Sequence, residues 1–348
     1  MIHVSVITLN YKEPQLTKKC VQSLLRQKEV IFEIIIIDNS ATEEDKKILS
    51  SLKENRVKVF HMEKNIGCAE GYNYGIEKAK GTYVFIVNND TKIMDKSALS
   101  KMKTYLDTNR DVAVLQPKIK SLQKPQYFEY AGAAGGFLDR FGYPFCRGRI
   151  FQVVEKDKGQ YNTVTPITWA STCAFFARKN VLQRLGLFDQ IYFAYAEEVD
   201  ISLRIWRLGY KVIFFPFTEV YHKGETSWKK IRGRKTFLIH RNHLILYFKC
   251  TPFPQVLFSL PQRLLLEIIS LAYYSFHKSN LHVFPVLLSY VAVFFLFPKI
   301  IQKRKDFFKN SKKNNAITYK RSIALDHFIM KKKYFSQLRK EHFLVYDK

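Results

Sequence analysis

The strongest constraint on the fold is a strict alternation at the start of the chain. Residues 2–9 (IHVSVITL) and 33–37 (EIIII) are apolar runs rich in β-branched residues, and they stop at Asn10 and Asp38. Such runs read as buried strands. Between them, residues 14–27 open on Pro14 and carry Leu16, Cys20, Val21, Leu24 and Leu25 at helical spacing. That pattern predicts an amphipathic helix. The alternation continues through a helix over 43–52, a strand over 57–61, a helix over 67–80 and a strand over 83–87, which ends at Asn88-Asn89-Asp90. Strands apolar on both faces belong to a parallel sheet covered by helices. Open α/β sheets bind ligands at the carboxyl ends of their strands. Asn10, Asp38 and Asp90 therefore predict one cleft, with a nucleotide as the expected ligand.

The next stretch is mixed. Apolar runs at 112–116, 167–177 and 211–215 predict strands, with a helix from Val199 to Leu208 between the last two. From about residue 251 the composition changes. Residues 253–277 are rich in Leu, Ile, Phe and Tyr but include Arg263 and Glu267. Residues 283–297 hold about 15 uncharged positions, whereas a comfortable membrane span needs about 20. Pro285 interrupts that run, so interfacial or re-entrant helices are expected rather than clean spans. Residues 299–348 carry a net charge of about +11, a composition suited to an anionic cytosolic leaflet. The expected division is a catalytic domain over 1–225, a connecting helix over 226–250, apolar membrane-associated helices over 251–300 and a basic tail over 301–348.

Composition narrows the function. With 348 residues, 47% hydrophobic and 25% charged, the chain is not a disordered polymer. The net charge of +27 implies an anionic partner, either lipid or nucleic acid. The five cysteines form no Cys-x-x-Cys pair, which argues against a zinc ribbon or a disulfide framework and for a reducing compartment. The start Met1-Ile2-His3 carries no basic segment and no long apolar run, so no signal peptide is expected and the N-terminal domain should stay in the cytoplasm.

Longer motifs sharpen this reading. Val4–Tyr11 (VSVITLNY), Ile36–Ser40 (IIDNS), Asn65–Gly75 (NIGCAEGYNYG) and Val87–Thr91 (VNNDT) follow one another in the order of a GT-A fold. Phe188–Arg204, with its Glu197-Glu198-Val199-Asp200 core, and Tyr221–Ser227 (YHKGETS) agree. Over about residues 1–250 the chain resembles glycosyltransferase family 2, in the subgroup of bacterial rhamnosyltransferase-like enzymes. The resemblance implies inverting transfer of a sugar from a nucleotide-sugar to an acceptor hydroxyl.

It also implies site residues. Asp90 ends the segment where the family carries Asp-x-Asp, here Asn88-Asn89-Asp90, and would hold Mg²⁺ or Mn²⁺ against the donor diphosphate. His222 would complete the metal shell or meet the leaving diphosphate, with Lys223 beside it. Asp38 would accept the N3–H of uracil or thymine, with Thr8 and Asn10 lining the same pocket. As an alternative, Asp38 and Ser40 cap the next helix. Asn65 and Gly67 would let the chain approach the ribose and diphosphate, while Gly67, Gly71 and Gly75 share a helix face and serve close packing. Asn73 has no assigned role. Glu198 matches the family's base, with Glu197 as the second choice. Asp200 suits a structural group pairing with Arg204 at i+4. Trp169 reads either as a sugar platform or as a core aromatic. Arg241-Asn242 would link the catalytic domain to the membrane segment.

The function expected is an inverting transferase using a UDP- or dTDP-sugar donor and a lipid-linked saccharide acceptor, at the cytoplasmic face of the membrane. The alternatives are a nucleotidyltransferase and a degenerate nucleotide-sugar binder. The first lacks a Gly/Arg/Lys-rich loop after Asn10; intact Asp90, Glu198 and His222 argue against the second. A nucleic-acid partner is not expected, because no helix-turn-helix, zinc or RNP-like motif is found.

Overall fold

The computed structural model describes residues 1–40, 42–224, 232–277, 282–309 and 316–345. β1 (Val4–Asn10), α1 (Pro14–Leu24), β2 (Phe32–Asp38), α2 (Glu43–Ser50), β3 (Val57–His61), α3 (Gly67–Lys78) and β4 (Tyr83–Val87) follow the predicted alternation. β5 (Thr91–Ile93), α4 (Ala98–Thr108) and β6 (Val112–Ser121) come next. A run of short strands follows: β7 (Gly136–Asp139), β8 (Pro144–Cys146), β9 (Arg149–Ile150), β10 (Val153–Val154) and β11 (Thr165–Pro166). β12 (Ala174–Arg178), α5 (Lys179–Arg184), α6 (Glu197–Arg207) and β13 (Lys211–His222) complete the main layer.

The main sheet has the order β11-β13-β6-β12-β4-β1-β2-β3, with β5 paired to β13. β3, β2, β1 and β4 are parallel. The chain winds outward from β1 to β3 and then crosses to β4 on the other side of β1, which creates the switch point where α/β sheets bind ligands. β2 shows why helices cover both faces. Ile35 and Ile37 pack toward α3, with Tyr72 and Ile76. Ile34 and Ile36 pack toward α1, with Cys20, Val21 and Leu24. Gly75 lets α3 press onto β1, since a Cβ there would lie 2.5 Å from Ile7 Cγ2.

β12 runs antiparallel to both β4 and β6. β6 therefore points the same way as β4, and β13 is parallel to β6. The carboxyl end of β13 thus reaches the same sheet edge as Asp90, and His222 pairs in register with Thr91. The apolar run at 167–177 forms a strand only from Ala174. Before it the chain turns, with Ser171 accepting from the Ala174 N–H and donating its own N–H to Gln116 Oε1 at 2.9 Å.

α7 (Arg232–Cys250), α8 (Phe253–His277) and α9 (Val283–Lys309) follow. Residues 225–231, which include Glu225–Ser227 of the His222 motif and the start of the expected connecting helix, lie outside the described residues. Pro285 does not interrupt α9. It falls in the first turn, where a missing N–H removes no helical bond. α9 therefore runs for 27 residues, about 40 Å, longer than the roughly 30 Å of a bilayer's hydrocarbon core. By length and composition α8 and α9 are each apolar enough to cross a membrane. α9 packs along α7 through Val286, Val293 and Ile300 and leaves Phe294 and Phe295 exposed.

The segment expected as a basic tail is built into the fold. β14 (Ile317–Tyr319), α10 (Ile323–Phe328) and β15 (Phe343–Val345) extend a second sheet of order β10-β9-β8-β7-β14-β15. Charge dominates the composition of this segment, but its sparse aromatics set its fate. Phe335 and Phe343 each stack within 5.3 Å of Phe137, and Phe343 lies 4.9 Å from Tyr319. Phe343→Ala should therefore destabilise the whole domain, by about 2–3 kcal/mol in denaturant unfolding, whereas a solvated tail would lose nothing.

Candidate active site

The sheet end is held by a buried polar network. Asn10 donates to Asp38 Oδ1 (2.9 Å), Ser40 Oγ (2.9 Å) and Asp45 Oδ2 (2.7 Å), and its own oxygen accepts from Thr17. Asp38 also accepts the Ser40 N–H and pairs with His61 Nδ1 at 2.8 Å. Burial alone would raise the Asp38 carboxyl; its bonds to Asn10, His61 and Ser40 outweigh that and hold it below the ordinary range. Thr8, Asn10 and Asp38 are fully buried. They form a floor beneath the strand ends rather than a pocket wall, and His61 is the network's partly exposed member. The cap of α2 is Thr42, not Asp38 or Ser40.

The mouth of α3 is closed in this conformation. Asn65 Oδ1 accepts from the Gly67 N–H at 2.9 Å. Gly67 has φ +84°, and a Cβ there would lie 2.6 Å from the Phe193 carbonyl. That carbonyl accepts from the N–H groups of Cys68 and Ala69. Gly67 thus makes room for Phe193, which holds the place expected for a phosphate. Asn73, unassigned from sequence, clamps the Phe188 backbone through both its amide atoms, at 2.8 and 2.9 Å.

Beyond β4, Asn88 Nδ2 lies 3.2 Å from His222 Nε2, and Asn89 donates to Thr17 Oγ1. Asp90 Oδ1 is 2.9 Å from His222 Nε2. On the other ring side Glu129 Oε2 is 2.9 Å from Nδ1, a close charge contact without hydrogen-bond alignment. Burial would depress His222, but Cys173, Asp90 and Glu129 around it raise its pKa well above the ordinary value. Burial would likewise raise Asp90, and His222 brings it below the ordinary range instead. Among the described residues no three His, Cys, Asp or Glu side chains form an all-protein metal cage. Asp90 and His222 do offer adjacent hard-oxygen and imidazole donors. That set suits a divalent ion that takes its remaining ligands from phosphate.

Glu129 went unnoticed in the sequence because it lies in irregular chain without a motif. Arg149 was missed because it lies in the two-residue strand β9, too short to carry a pattern. Its guanidinium lies 3.6 Å over the Tyr130 ring, and its buried Nε and Nη1 have no acceptor.

Glu197 and Glu198 open α6. Burial, reinforced by the charge of Glu198, pushes Glu197 well above the ordinary carboxylate range. Burial raises Glu198 to about 7. Neither Oε2 has a hydrogen-bond partner. Glu197 is buried and Glu198 is the less buried residue of the pair. Asp200 faces inward and pairs with Arg204 (2.8 Å), as its spacing predicts, and with Lys249 (2.6 Å).

The loop before this pair is strained, with Phe193, Tyr195 and Ala196 at φ between 62° and 70°. α7 holds it. Asn242 Nδ2 donates to the carbonyls of Tyr192, Ala194 and Tyr195 within 2.8 Å, and Arg241 donates to Ile191 and Tyr192. The Arg241-Asn242 pair thus joins the loop to the helix that leads into α8. Trp169 is a core residue. Its indole donates to the Phe137 carbonyl at 2.9 Å, and its ring covers Gly136, where a Cβ would lie 2.0 Å away. It cannot serve as a sugar platform in this conformation.

Residues 5–186 match the family model described as Glycosyl transferase family 2. The chain belongs to that family. It is 25% identical over 217 residues to the glycosyltransferase GlyG of Streptococcus pneumoniae serotype 4, covering 61% of this chain and 67% of that protein. It is 32% identical over 105 residues to the putative teichuronic acid biosynthesis glycosyltransferase TuaG of Bacillus subtilis, covering 30% of this chain and 41% of the relative. Among solved structures, GalNAc-T7 with UDP, GalNAc and Mn²⁺ aligns with a TM-score of 0.55 and 18% identity, over 71% of this chain and 47% of that one. The mannosyltransferase PcManGT from Pyrobaculum calidifontis, in complex with GDP-Man and Mn²⁺, aligns with 0.50 and 13%, over 95% and 88%. The fold of this family 2 glycosyltransferase is GT-A.

Asn242→Ala should release the acid-bearing loop of the transferase. The carbonyls of Ala194 and Tyr195 lose the Asn242 donor and that of Tyr192 loses one of its donors, at a cost of about 1–3 kcal/mol. Thermal unfolding and turnover measured together should both fall, with kcat falling further than the stability loss explains.

Proposed function

We propose that this enzyme transfers a sugar, with inversion, from a UDP- or dTDP-sugar to an acceptor hydroxyl on a lipid-linked saccharide during polysaccharide biosynthesis at the cytoplasmic face of the membrane. One observation carries the catalytic part: Glu198, a partly exposed residue at the head of α6, has a buried carboxylate oxygen without a hydrogen-bond partner and a pKa that burial raises to about 7. An inverting displacement needs a base that takes the acceptor proton as the new bond forms. A carboxylate poised near neutrality does this more strongly than an ordinary one. Glu197, buried behind it, favours a single negative charge on the pair.

Asp90 and His222 would hold Mg²⁺ or Mn²⁺, which would take up charge on the departing diphosphate. Asn88 orients His222. The unsatisfied guanidinium of Arg149, close to the Glu129 side of the centre, suits a phosphate oxygen. The complexes of PcManGT and GalNAc-T7, with a nucleotide or nucleotide-sugar and Mn²⁺, support a nucleotide-sugar donor and a divalent ion. The printed name of TuaG, and that of the O-antigen biosynthesis protein RfbC of Myxococcus xanthus, support the polysaccharide role. RfbC is 24% identical over 229 residues, though the match covers only 17% of that protein. The exposed apolar surfaces of α8 and α9 support a membrane location, and with it a lipid-linked acceptor.

Donor hydrolysis by detergent-extracted protein tests this reading directly. UDP- and dTDP-sugars are offered with Mg²⁺, Mn²⁺ or EDTA. Loss of turnover with EDTA and in Asp90→Ala is the expected result; nucleotide binding by neither series would overturn the reading. With an acceptor present, Glu198→Gln should lower kcat about 10²–10⁴-fold while donor KM barely moves. The wild-type rate should rise with pH through an apparent pKa of about 7.

The same residue sets a stability signature. Its folded pKa lies above the unfolded value, so the native state is favoured fully only at low pH, and that advantage fades as pH rises from 4.5 through about 7. Glu198→Gln should therefore be more stable than wild type at pH 8, by up to about 3 kcal/mol, and match it near pH 4.

A further inference from the structure

The C-terminal segment carries a feature that transfer chemistry does not use. Around the end of α10, Phe328, Ile329 and Met330 are 53%, 66% and 58% exposed, and Leu325 is exposed beside them. Lys331, Lys332 and Lys333 follow at once. An exposed apolar cluster of this kind marks a binding surface in a folded domain. The segment is held in shape. The N–H groups of Ile329 and Met330 both bond to the Leu325 carbonyl. Lys332 pairs with buried Asp326 at 2.8 Å, and Asp326 also receives the Tyr319 hydroxyl. Phe328 stacks on Phe151 of the second sheet at 4.8 Å. The outward side chains are thus presented on a fixed turn, with Lys331 and Lys333 exposed around them.

Two further facts say what covers this surface. Its flank is cationic: Lys320, Arg321, Arg339 and Lys340 are all exposed. It also lies near the first turn of α8. The Arg140 N–H bonds to the Arg321 carbonyl, next to α10, and the Arg140 carbonyl accepts from Gln255 of α8. Phe253, Leu257 and Phe258 on that turn are exposed as well.

We propose that α10 and the turn after it form a second membrane contact, in which Phe328, Ile329 and Met330 enter an anionic leaflet and Lys331 and Lys333 meet its headgroups. The proposal rests on the membrane reading of α8 and α9 given above. Apolar side chains that enter the interfacial region gain burial, and each nearby lysine adds attraction to an anionic surface. The consequence is orientation. α8 and α9 tether the enzyme on one side, and α10 fixes the second sheet, which packs beside the Glu129 loop, against the same leaflet.

Full-length protein carrying Ile329→Trp tests this, with Phe294→Trp on α9 as a second reporter. Each variant is reconstituted into phosphatidylglycerol vesicles with and without brominated acyl chains, and wild type supplies the background from its native tryptophans. The expected result is quenching of about half the added emission at both positions. Adding Lys331→Glu and Lys333→Glu should abolish quenching at 329 and leave it at 294, as should replacing phosphatidylglycerol by phosphatidylcholine. Quenching at 294 alone in phosphatidylglycerol would overturn the proposal, leave the membrane reading standing and assign the patch to a protein partner or a second copy. Quenching at neither position would overturn both.

Discussion

Three backbone carbonyls, those of Tyr192, Ala194 and Tyr195, turn toward one amide nitrogen on α7. The loop that carries them adopts left-handed backbone at residues with side chains, which costs free energy at each. Without Asn242 the carbonyls of Ala194 and Tyr195 would lose this donor, and that of Tyr192 would keep only Arg241 and the Ala194 N–H. With it the strain is held, and two consequences follow within a few residues. Phe193 is driven against the mouth of α3, and Glu197 and Glu198 start α6 with their carboxyl groups out of water. The raised pKa of Glu198 is therefore a product of packing by a helix outside the sheet.

A second set of contacts secures the same joint. Asp189 pairs with Lys249 and Lys303, and Lys249 pairs with Asp200, which is also bound to Arg204. One cluster thus joins the loop before the acid pair, α6, α7 and α9. Buried pairs of this kind add little net stability, but breaking one leaves a charge uncompensated. The arrangement specifies geometry: the helix hairpin and the Glu197-Glu198 pair can hardly shift independently.

Legibility in the sequence followed the range of the interactions. The first four strands and three helices were readable because period and apolarity are local, and Asp90 and His222 were readable because motifs mark them. Their meeting came only from the family resemblance and not from any local pattern, since it depends on β12 running antiparallel between β4 and β6. Glu129 and Arg149 gave no signal, since one lies in irregular chain and the other in a two-residue strand. Trp169 was open between two roles until Gly136 was found beneath its ring. The Asp38 network was ambiguous in the sequence because Asn, Ser and Asp suit both a structural network and a ligand pocket. Charge hid the C-terminal strands, because a few aromatics decide their packing and composition averages them away.

The pairing of Thr318 with Leu138 joins positions about half the chain apart. β7 is made early and must wait for β14, which follows both long apolar helices. During synthesis the second sheet stays incomplete, with Phe137 and Phe145 uncovered, until β14 and β15 leave the ribosome. The two helices lie between the halves of one sheet, so they must bring the chain back to the side it left. If the helices insert as proposed, an odd number of crossings would leave β7 without its neighbour, and strand pairing would act as a parity check on that insertion.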